Sequence, residues 1–267
     1  MTDRYVHGYT AEEQERLVAQ AEHWRDELIL PGTTLRSGTR LLDVGCGVGA
    51  VLGILGTSFP GVELAGVDYE ERQIEAACDH LSSLGLQADL RRADAVDLPH
   101  GDGSFDHVWM MWLLEHVADP VAALREARRV LVPDGELTAI EVDYNSVWAL
   151  PWSGVLEALF ASVARAMDAN GRSDAAARLE GWIVDAGFGS VDPGERRLDY
   201  SGDNLDRQVP YVVAVVESTL ATLLDAGDTL ATDLEAGLDE LKALPETPGA
   251  ALGWVVHKAH ARATNSR

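Results

Sequence analysis

Residues Leu41-Leu42-Asp43-Val44-Gly45-Cys46-Gly47-Val48-Gly49-Ala50 place an apolar run directly before three alternating glycines. The run, broken only by one acidic residue, reads as a buried strand, and the glycines as a tight turn that opens a helix. Glycine lets the backbone turn sharply and lets a ligand lie against it, with no Cβ in the way. An acidic residue beside that turn would repel a diphosphate but hold an ammonium or a hydroxyl group. The turn therefore suits a nucleoside whose tail is an amino acid.

The rest of the chain extends this strand–turn–helix unit. Thr10 to Leu28 is predicted helical, with Thr10 and Glu13 as a capping box and Leu17, Ala21, Trp24 and Leu28 on one face. Predicted strands at Arg40–Val44, Glu63–Val67, Ala88–Arg92, Phe105–Met111 and Glu136–Val142 alternate with helices from Ala50 to about Leu55, through Gln73, Ala77 and Leu81, and from Asp119-Pro120 to Leu131. Pro133-Asp134-Gly135 is predicted to turn. This succession implies an α/β fold, a Rossmann-like, mostly parallel sheet with helices on both faces. Past Tyr144 the alternation loosens. Helices are expected at Leu156–Met167, Ser173–Ala186, Tyr211–Leu224 and Leu230–Leu244, with one strand from Gly187-Phe188-Gly189 to about Tyr200 and a last one over Leu252–Ala263. The expected architecture is a seven-stranded sheet, its final strand antiparallel, under a helical cap. One domain spans 1–267, with 1–30 as an N-terminal helical lid segment and 145–180 and 203–247 as cap insertions.

Composition narrows the partners. The chain has 267 residues, 46% of them hydrophobic, enough to bury one large core. A net charge of −23 disfavours nucleic acid and anionic membrane surfaces. Two cysteines, Cys46 and Cys78, make neither a disulfide framework nor a metal cluster, which suits a reducing, cytoplasmic setting. No apolar stretch approaches the roughly 20 residues needed to cross a bilayer, and the amino terminus has no signal-peptide pattern. Monomer and homodimer both stay open.

Gly45-x-Gly47-x-x-Ala50 also satisfies the dinucleotide pattern, so the glycines alone do not decide the ligand. Asp43 precedes the first glycine by two residues, where a diphosphate would make a carboxylate unwelcome. Ala93-Asp94-Ala95 follows the third strand, at the edge where an adenine would lie. Neither Lys242 nor Lys258 has a tyrosine four residues before it, so the Tyr-x-x-x-Lys pair of short-chain dehydrogenases is missing. Together these favour S-adenosylmethionine over a nicotinamide cofactor.

Asp43-Val44-Gly45-Cys46-Gly47-Val48-Gly49 resembles motif I of the class I S-adenosylmethionine-dependent methyltransferases. Gly66-Val67-Asp68 resembles their second-strand acidic motif, and Ala93-Asp94-Ala95 their adenine-edge motif. Phe105-Asp106-His107-Val108, Leu113-Leu114-Glu115-His116-Val117 and the stretch from Leu124 to Gly135 are similar to the UbiE-like small-molecule branch. The resemblance covers about residues 38–145. It implies an S-adenosylmethionine site, with S-adenosylhomocysteine as product, at the carboxyl ends of the strands. Asp68 would take the ribose hydroxyls, with a helix N-cap as its alternative role. Tyr69 would cover one adenine face, and Asp94 with the Ala95 amide would read the adenine edge. Gly45 and Gly47 would lie against the methionine portion, Asp43 would act through water or neighbouring amides, and Met111 would close the fourth-strand side. Tyr5, near His7 and Tyr9, would contact the methionine carboxylate or else dock the terminus.

Methyl transfer from a sulfonium needs alignment, exclusion of water and, for some acceptors, removal of a proton. His116 is the candidate base, or else a residue that orients its segment. No metal constellation stands out. Glu141, Asp143 and Tyr144 end the fifth strand near the expected acceptor. Glu141 could instead bond the cofactor or a neighbouring loop. Trp148, Trp152 and Tyr211, expected in the insertions, would line an apolar cavity for a small organic acceptor, or serve as cap core. The expected activity is N-, O- or C-methylation of that acceptor, fitting secondary metabolism. The alternatives are an NAD(P)-dependent oxidoreductase and a non-catalytic relative that keeps the cofactor pocket.

Overall fold

The computed structural model describes residues 11–225 and 231–264. The chain divides into two compact units. The larger holds residues 11–141, 178–194 and 258–264, and the smaller holds 142–177 and 195–257.

The chain order is α1 (Ala11–Trp24, continued by a π-turn at Arg25–Ile29), β1 (Arg40–Val44), α2 (Ala50–Ser58), β2 (Glu63–Asp68), α3 (Glu71–Ser83), β3 (Ala88–Arg92), β4 (Phe105–Met111), α4 (Pro120–Val130), β5 (Leu131–Leu150), α5 (Gly154–Asn170), α6 (Ala175–Asp185), β6 (Ser190–Asp192), β7 (Glu195–Ser201), α7 (Leu205–Asp225), α8 (Ala231–Ala243) and β8 (Ala251–Arg262). The strands form one sheet in the order β3-β2-β1-β4-β5-β8-β6, with β7 also paired to β8. β3, β2, β1, β4 and β5 pair in parallel. β8 runs antiparallel to β6 and β7. From β1 the chain builds toward β3 on one side and returns to β4 on the other. That reversal puts a crevice at the carboxyl ends of β1 and β4, where open α/β sheets bind ligands.

The central strands are apolar on both faces because both faces are covered. Leu41, Leu42 and Val44 of β1, Val108 and Met110 of β4, and Leu137 and Ala139 of β5 have no accessible surface. α4 starts as its sequence indicates, with the Asp119 carboxylate accepting from Ala122 N at 2.9 Å ahead of Pro120. α2 opens without a side-chain cap. Its N-cap is Gly49 at φ +71°, where a Cβ would lie 3.2 Å from that of Ala77.

Three departures from expectation have local causes. The sheet has eight strands, not seven, because Pro193-Gly194 splits the single expected strand into β6 and β7. The pieces keep one register against β8, with Asp192 opposite His260 and Glu195 opposite His257. At the break Gly194 sits at φ +57°, and a Cβ there would lie 1.8 Å from the Lys258 carbonyl oxygen. The expected Pro133-Asp134-Gly135 turn is an irregularity inside a longer β5. Leu131 pairs with Phe105 but Glu136 with His107, and Asp134 takes up the slack at φ +62°. α7 begins at Leu205 and carries Pro210 inside it, six residues ahead of the predicted start.

In the smaller unit α5 packs on α7 and α8. β5 continues there to Leu150, so its residues 145–150 are strand rather than helical insertion. The capping box at Thr10 falls outside the described residues.

Candidate functional site

The glycine turn is folded by its own chain. Gly45 N and Cys46 N both donate to the Val67 carbonyl, at 2.8 and 2.9 Å, and Gly49 N closes the turn on Cys46 O at 2.8 Å. Gly45 and Gly47 take φ of +76° and +49°, the left-handed region that glycine enters without strain. A Cβ on Gly45 would strike the Leu113 side chain at 2.7 Å, whereas one on Gly47 would meet, among the described residues, only Leu17, at 4.0 Å. The Gly47 α-carbon is therefore uncrowded by the described residues, while its amide is held by Asp68.

Asp68, at the end of β2, clamps this turn from the next strand. One carboxylate oxygen accepts from Gly47 N at 2.9 Å and the other from Glu70 N at 3.0 Å. Each oxygen keeps a further lone pair, so ribose hydroxyls can be bonded without breaking the clamp. The alternative read from sequence, Asp68 as the helix N-cap, differs from the structure: Glu70 is the N-cap residue of α3, with no side-chain cap bond, and Asp68 accepts from the amide of that residue. Burial pushes the Asp68 carboxyl up from its ordinary value, against the pull of the Glu70 and Gly47 amides. Asp43, only 2% exposed, stands behind the turn. Burial, then repulsion from Asp68, raises its carboxyl well above the usual range. The set is acidic, and among the described residues no arginine or lysine is bonded to it. It fits a neutral ribose and the cationic amino-acid tail of S-adenosylmethionine better than a diphosphate.

Tyr69 is half exposed beyond Asp68, with the Arg92 guanidinium 5.7 Å over its ring and Arg92 Nε bonded to its carbonyl at 2.9 Å. Asp94 is exposed, and one oxygen accepts from Val96 N at 3.1 Å. Ala95 packs against the larger unit's core, and Met111 is buried at the end of β4. Arg92 carries no motif that sequence reasoning could have used.

After β4 the chain turns through Trp112, a non-glycine residue at φ +52°. The segment that follows is held by Glu141 of β5, whose Oε1 accepts from Leu113 N at 3.1 Å and Leu114 N at 2.7 Å. Glu141 has no accessible surface. Of the roles the sequence left open for it, the structure shows the bond to a neighbouring loop, and full burial removes direct contact with an acceptor. Burial, then repulsion from Glu115, raises its carboxyl well above the ordinary range. Glu115 Oε1 lies 3.3 Å from His116 Nε2, and His116 keeps 17% of its side chain exposed.

The other acceptor candidates belong to the smaller unit. Asp143 accepts from Asn145 N at 2.9 Å, and Tyr144 N donates to Ser173 O at 3.1 Å. Trp148, expected in an insertion, is instead a residue of β5. Its indole Nε1 donates to Asp199 at 3.2 Å, the Arg197 guanidinium covers its ring at 5.4 Å, and it lies over Gly253, where a Cβ would meet it at 2.5 Å. Trp152 is 44% exposed and stacks on Phe160 at 6.1 Å. Tyr211 is half-buried on α7. Trp148 and Trp152 are thus engaged by different partners. Tyr5, with His7 and Tyr9, lies outside the described residues.

Among the described residues no group of three or more His, Cys, Asp or Glu side chains is placed to hold a metal ion, and no helix is long and apolar enough to cross a membrane.

Residues 42–139 match the family model described as a methyltransferase domain. Over this stretch the chain is similar to the class I S-adenosylmethionine-dependent methyltransferases. It is 37% identical over 135 residues to 27-O-demethylrifamycin SV methyltransferase of Amycolatopsis mediterranei, covering 49% of this chain and 48% of that protein. It is 33% identical over 123 residues to demethylmenaquinone methyltransferase of Staphylococcus aureus, covering 46% and 50%. The chain thus spans about half the length of the curated relatives it matches. Among solved structures its fold is similar to the (4+2)-cyclase SpnF, with a TM-score of 0.57 and 20% identity over 98% of this chain and 86% of that one. The matched stretch contains the glycine turn, Asp68, Asp94, the β4 loop and His116. Glu141 and everything in the smaller unit lie past its last matched residue.

Proposed function

We propose that this chain transfers a methyl group from S-adenosylmethionine to a small organic acceptor. The observation that carries the reading is the Asp68 clamp on Gly47, with the buried Asp43 behind it. This arrangement leaves carboxylate lone pairs for a ribose and an acidic surrounding for a cationic amino-acid tail, and it disfavours a diphosphate. When bound, the cofactor supplies an electrophilic methyl on sulfur, at risk from water until the acceptor arrives.

The chain's own work is positional. Asp68 holds the ribose hydroxyls, Asp94 and the Ala95 amide read the adenine edge, and Tyr69 covers the ring. Met111 bounds the pocket beside β4, and Tyr5 takes the cofactor's carboxylate. His116, its ring nitrogen on Glu115, accepts a proton from the acceptor as the methyl is transferred. We assign acceptor recognition to Asp143, Tyr144, Trp148, Trp152 and Tyr211. The names of the curated relatives, 27-O-demethylrifamycin SV methyltransferase and demethylmenaquinone methyltransferase, support a small-molecule acceptor.

The test is a screen of phenolic, quinone, macrolide and amine acceptors with methyl-labelled S-adenosylmethionine, read by mass spectrometry. A product heavier by one methyl group is expected. His116→Ala should then lower turnover by about 100-fold with cofactor affinity kept. Cofactor binding without transfer to any acceptor would favour the non-catalytic reading.

A further inference from the structure

We infer that Glu141 is a positioning residue: it fixes the loop that carries His116 and packs that loop onto the glycine turn. The inference rests on the proposed role of His116 as the base. Glu141 lies outside the matched domain region, and no motif assigns it a role.

A single oxygen of Glu141 gathers two consecutive amides, Leu113 N at 3.1 Å and Leu114 N at 2.7 Å. Trp112 N is pinned to the neighbouring residue's carbonyl, Ile140 O, at 2.9 Å. β5 therefore grips three consecutive residues after β4. Trp112 is held there at φ +52°, a conformation that costs a side-chain-bearing residue energy and persists only where neighbours impose it. The grip has two outlets. Leu113 fills the space in front of Gly45, where a Cβ would come within 2.7 Å of its side chain. His116 N closes the loop on Leu113 O at 2.9 Å, and its ring meets Glu115 at 3.3 Å. Release of Leu113 and Leu114 would thus loosen the cofactor turn and the His116 ring together.

The chemistry of Glu141 suits an anchor rather than a ligand. Its side chain is fully buried, and among the described residues Oε2 has no hydrogen-bond partner. Burial beside Glu115 favours the neutral acid. A neutral amide can replace it: the Glu141→Gln oxygen accepts the same two amides, whereas Glu141→Leu leaves both unpaired.

The experiment uses the full chain in three forms: wild type, E141Q and E141L. Two readouts are taken, S-adenosylhomocysteine affinity by calorimetry and the His116 ring resonances by NMR, assigned with H116N. E141L is expected to move the His116 resonances and to weaken S-adenosylhomocysteine binding by about tenfold. E141Q is expected to restore both to wild type. A folded E141L with wild-type affinity and unmoved His116 resonances would overturn the inference, as would an E141Q as perturbed as E141L. Should E141L fail to fold, E141D, which draws the carboxyl back by one methylene, is read by the same two measurements. A wild type that binds no S-adenosylhomocysteine would overturn the proposed function, and the His116 resonances would still decide the role of Glu141.

Discussion

Asp68 illustrates how one side chain can shape a turn and still have capacity for the proposed ligand. Its two oxygens accept from Gly47 N and Glu70 N, and each keeps a lone pair for the ribose hydroxyls of the proposed cofactor. Asp68→Ala is expected to weaken S-adenosylhomocysteine binding by about 1.5–3 kcal/mol, read by calorimetry. His107 shows a different economy of charge. It is buried on β4, its Nε2 shares a hydrogen bond with Thr138 at 3.0 Å, and Thr138 in turn meets His260 Nδ1 at 3.1 Å. Burial, then His260 and Lys258, lower its pKa to about 4. The Glu136 carboxylate, 3.9 Å away, is drawn to Arg262 at 2.6 Å and does not hold the proton on the ring. The folded state thus binds the proton less tightly than the unfolded one, whose imidazole titrates near its ordinary value of about 6.5. His107 contributes its stability fully above that value and loses it as pH falls toward about 4. Denaturant unfolding should show about 2 kcal/mol of this loss between pH 7 and pH 5, and His107→Gln should remove that part of the acid slope.

At the level of elements, the interior holds a cation that periodicity could not announce. Lys258 of β8 has no accessible surface, and its Nζ donates to Leu28 O, Ile29 O and Pro31 O at 2.9, 3.0 and 2.7 Å and meets Thr33 Oγ1 at 3.0 Å. It caps the carboxyl end of the α1 segment, whose last carbonyls need a donor. Lys258→Met should cost roughly 3 kcal/mol or more by taking the donor from the Leu28 and Pro31 oxygens, Ile29 O keeping the Thr33 hydroxyl at 2.6 Å, measured as a lowered unfolding midpoint. Gly194 keeps β6 and β7 in one register. Gly194→Ala should be far more damaging than Gly202→Ala, which has a similar φ of +56° but nothing within 4 Å of its Cβ. The latter should cost about 1–2 kcal/mol from the backbone alone. Equal losses in thermal unfolding would contradict the packing argument.

The alternating half of the molecule was legible because each signal was local. Apolar β1, the glycines after it and Asp119-Pro120 each specify their own geometry, and the structure reproduces those elements closely. What stayed hidden depends on distant partners. The split at Pro193-Gly194 is visible only against β8, and the length of β5 only from its pairing. Glu141 was seen as an acidic residue at a strand end, yet nothing in the chain says that its partners are the amides of Leu113 and Leu114. Lys258 offered a faint cue, as one of two lysines in the chain. The aromatic candidates rest on their place in the expected insertions, and chain position alone does not tell that Trp148 lies in the sheet over Gly253 while Trp152 stacks on Phe160.

For the whole molecule, acidity and fold lead to one central proposal: that the glycine turn and Asp68 receive S-adenosylmethionine, and that the chain uses it to methylate a small acceptor. Calorimetric titration of the full chain with S-adenosylhomocysteine, beside NAD(P), tests the binding step most directly. One S-adenosylhomocysteine per chain is expected, weakened in Asp68→Ala, with no heat from NAD(P). Failure of S-adenosylhomocysteine to bind, or an affinity for NAD(P) in its place, would contradict the account.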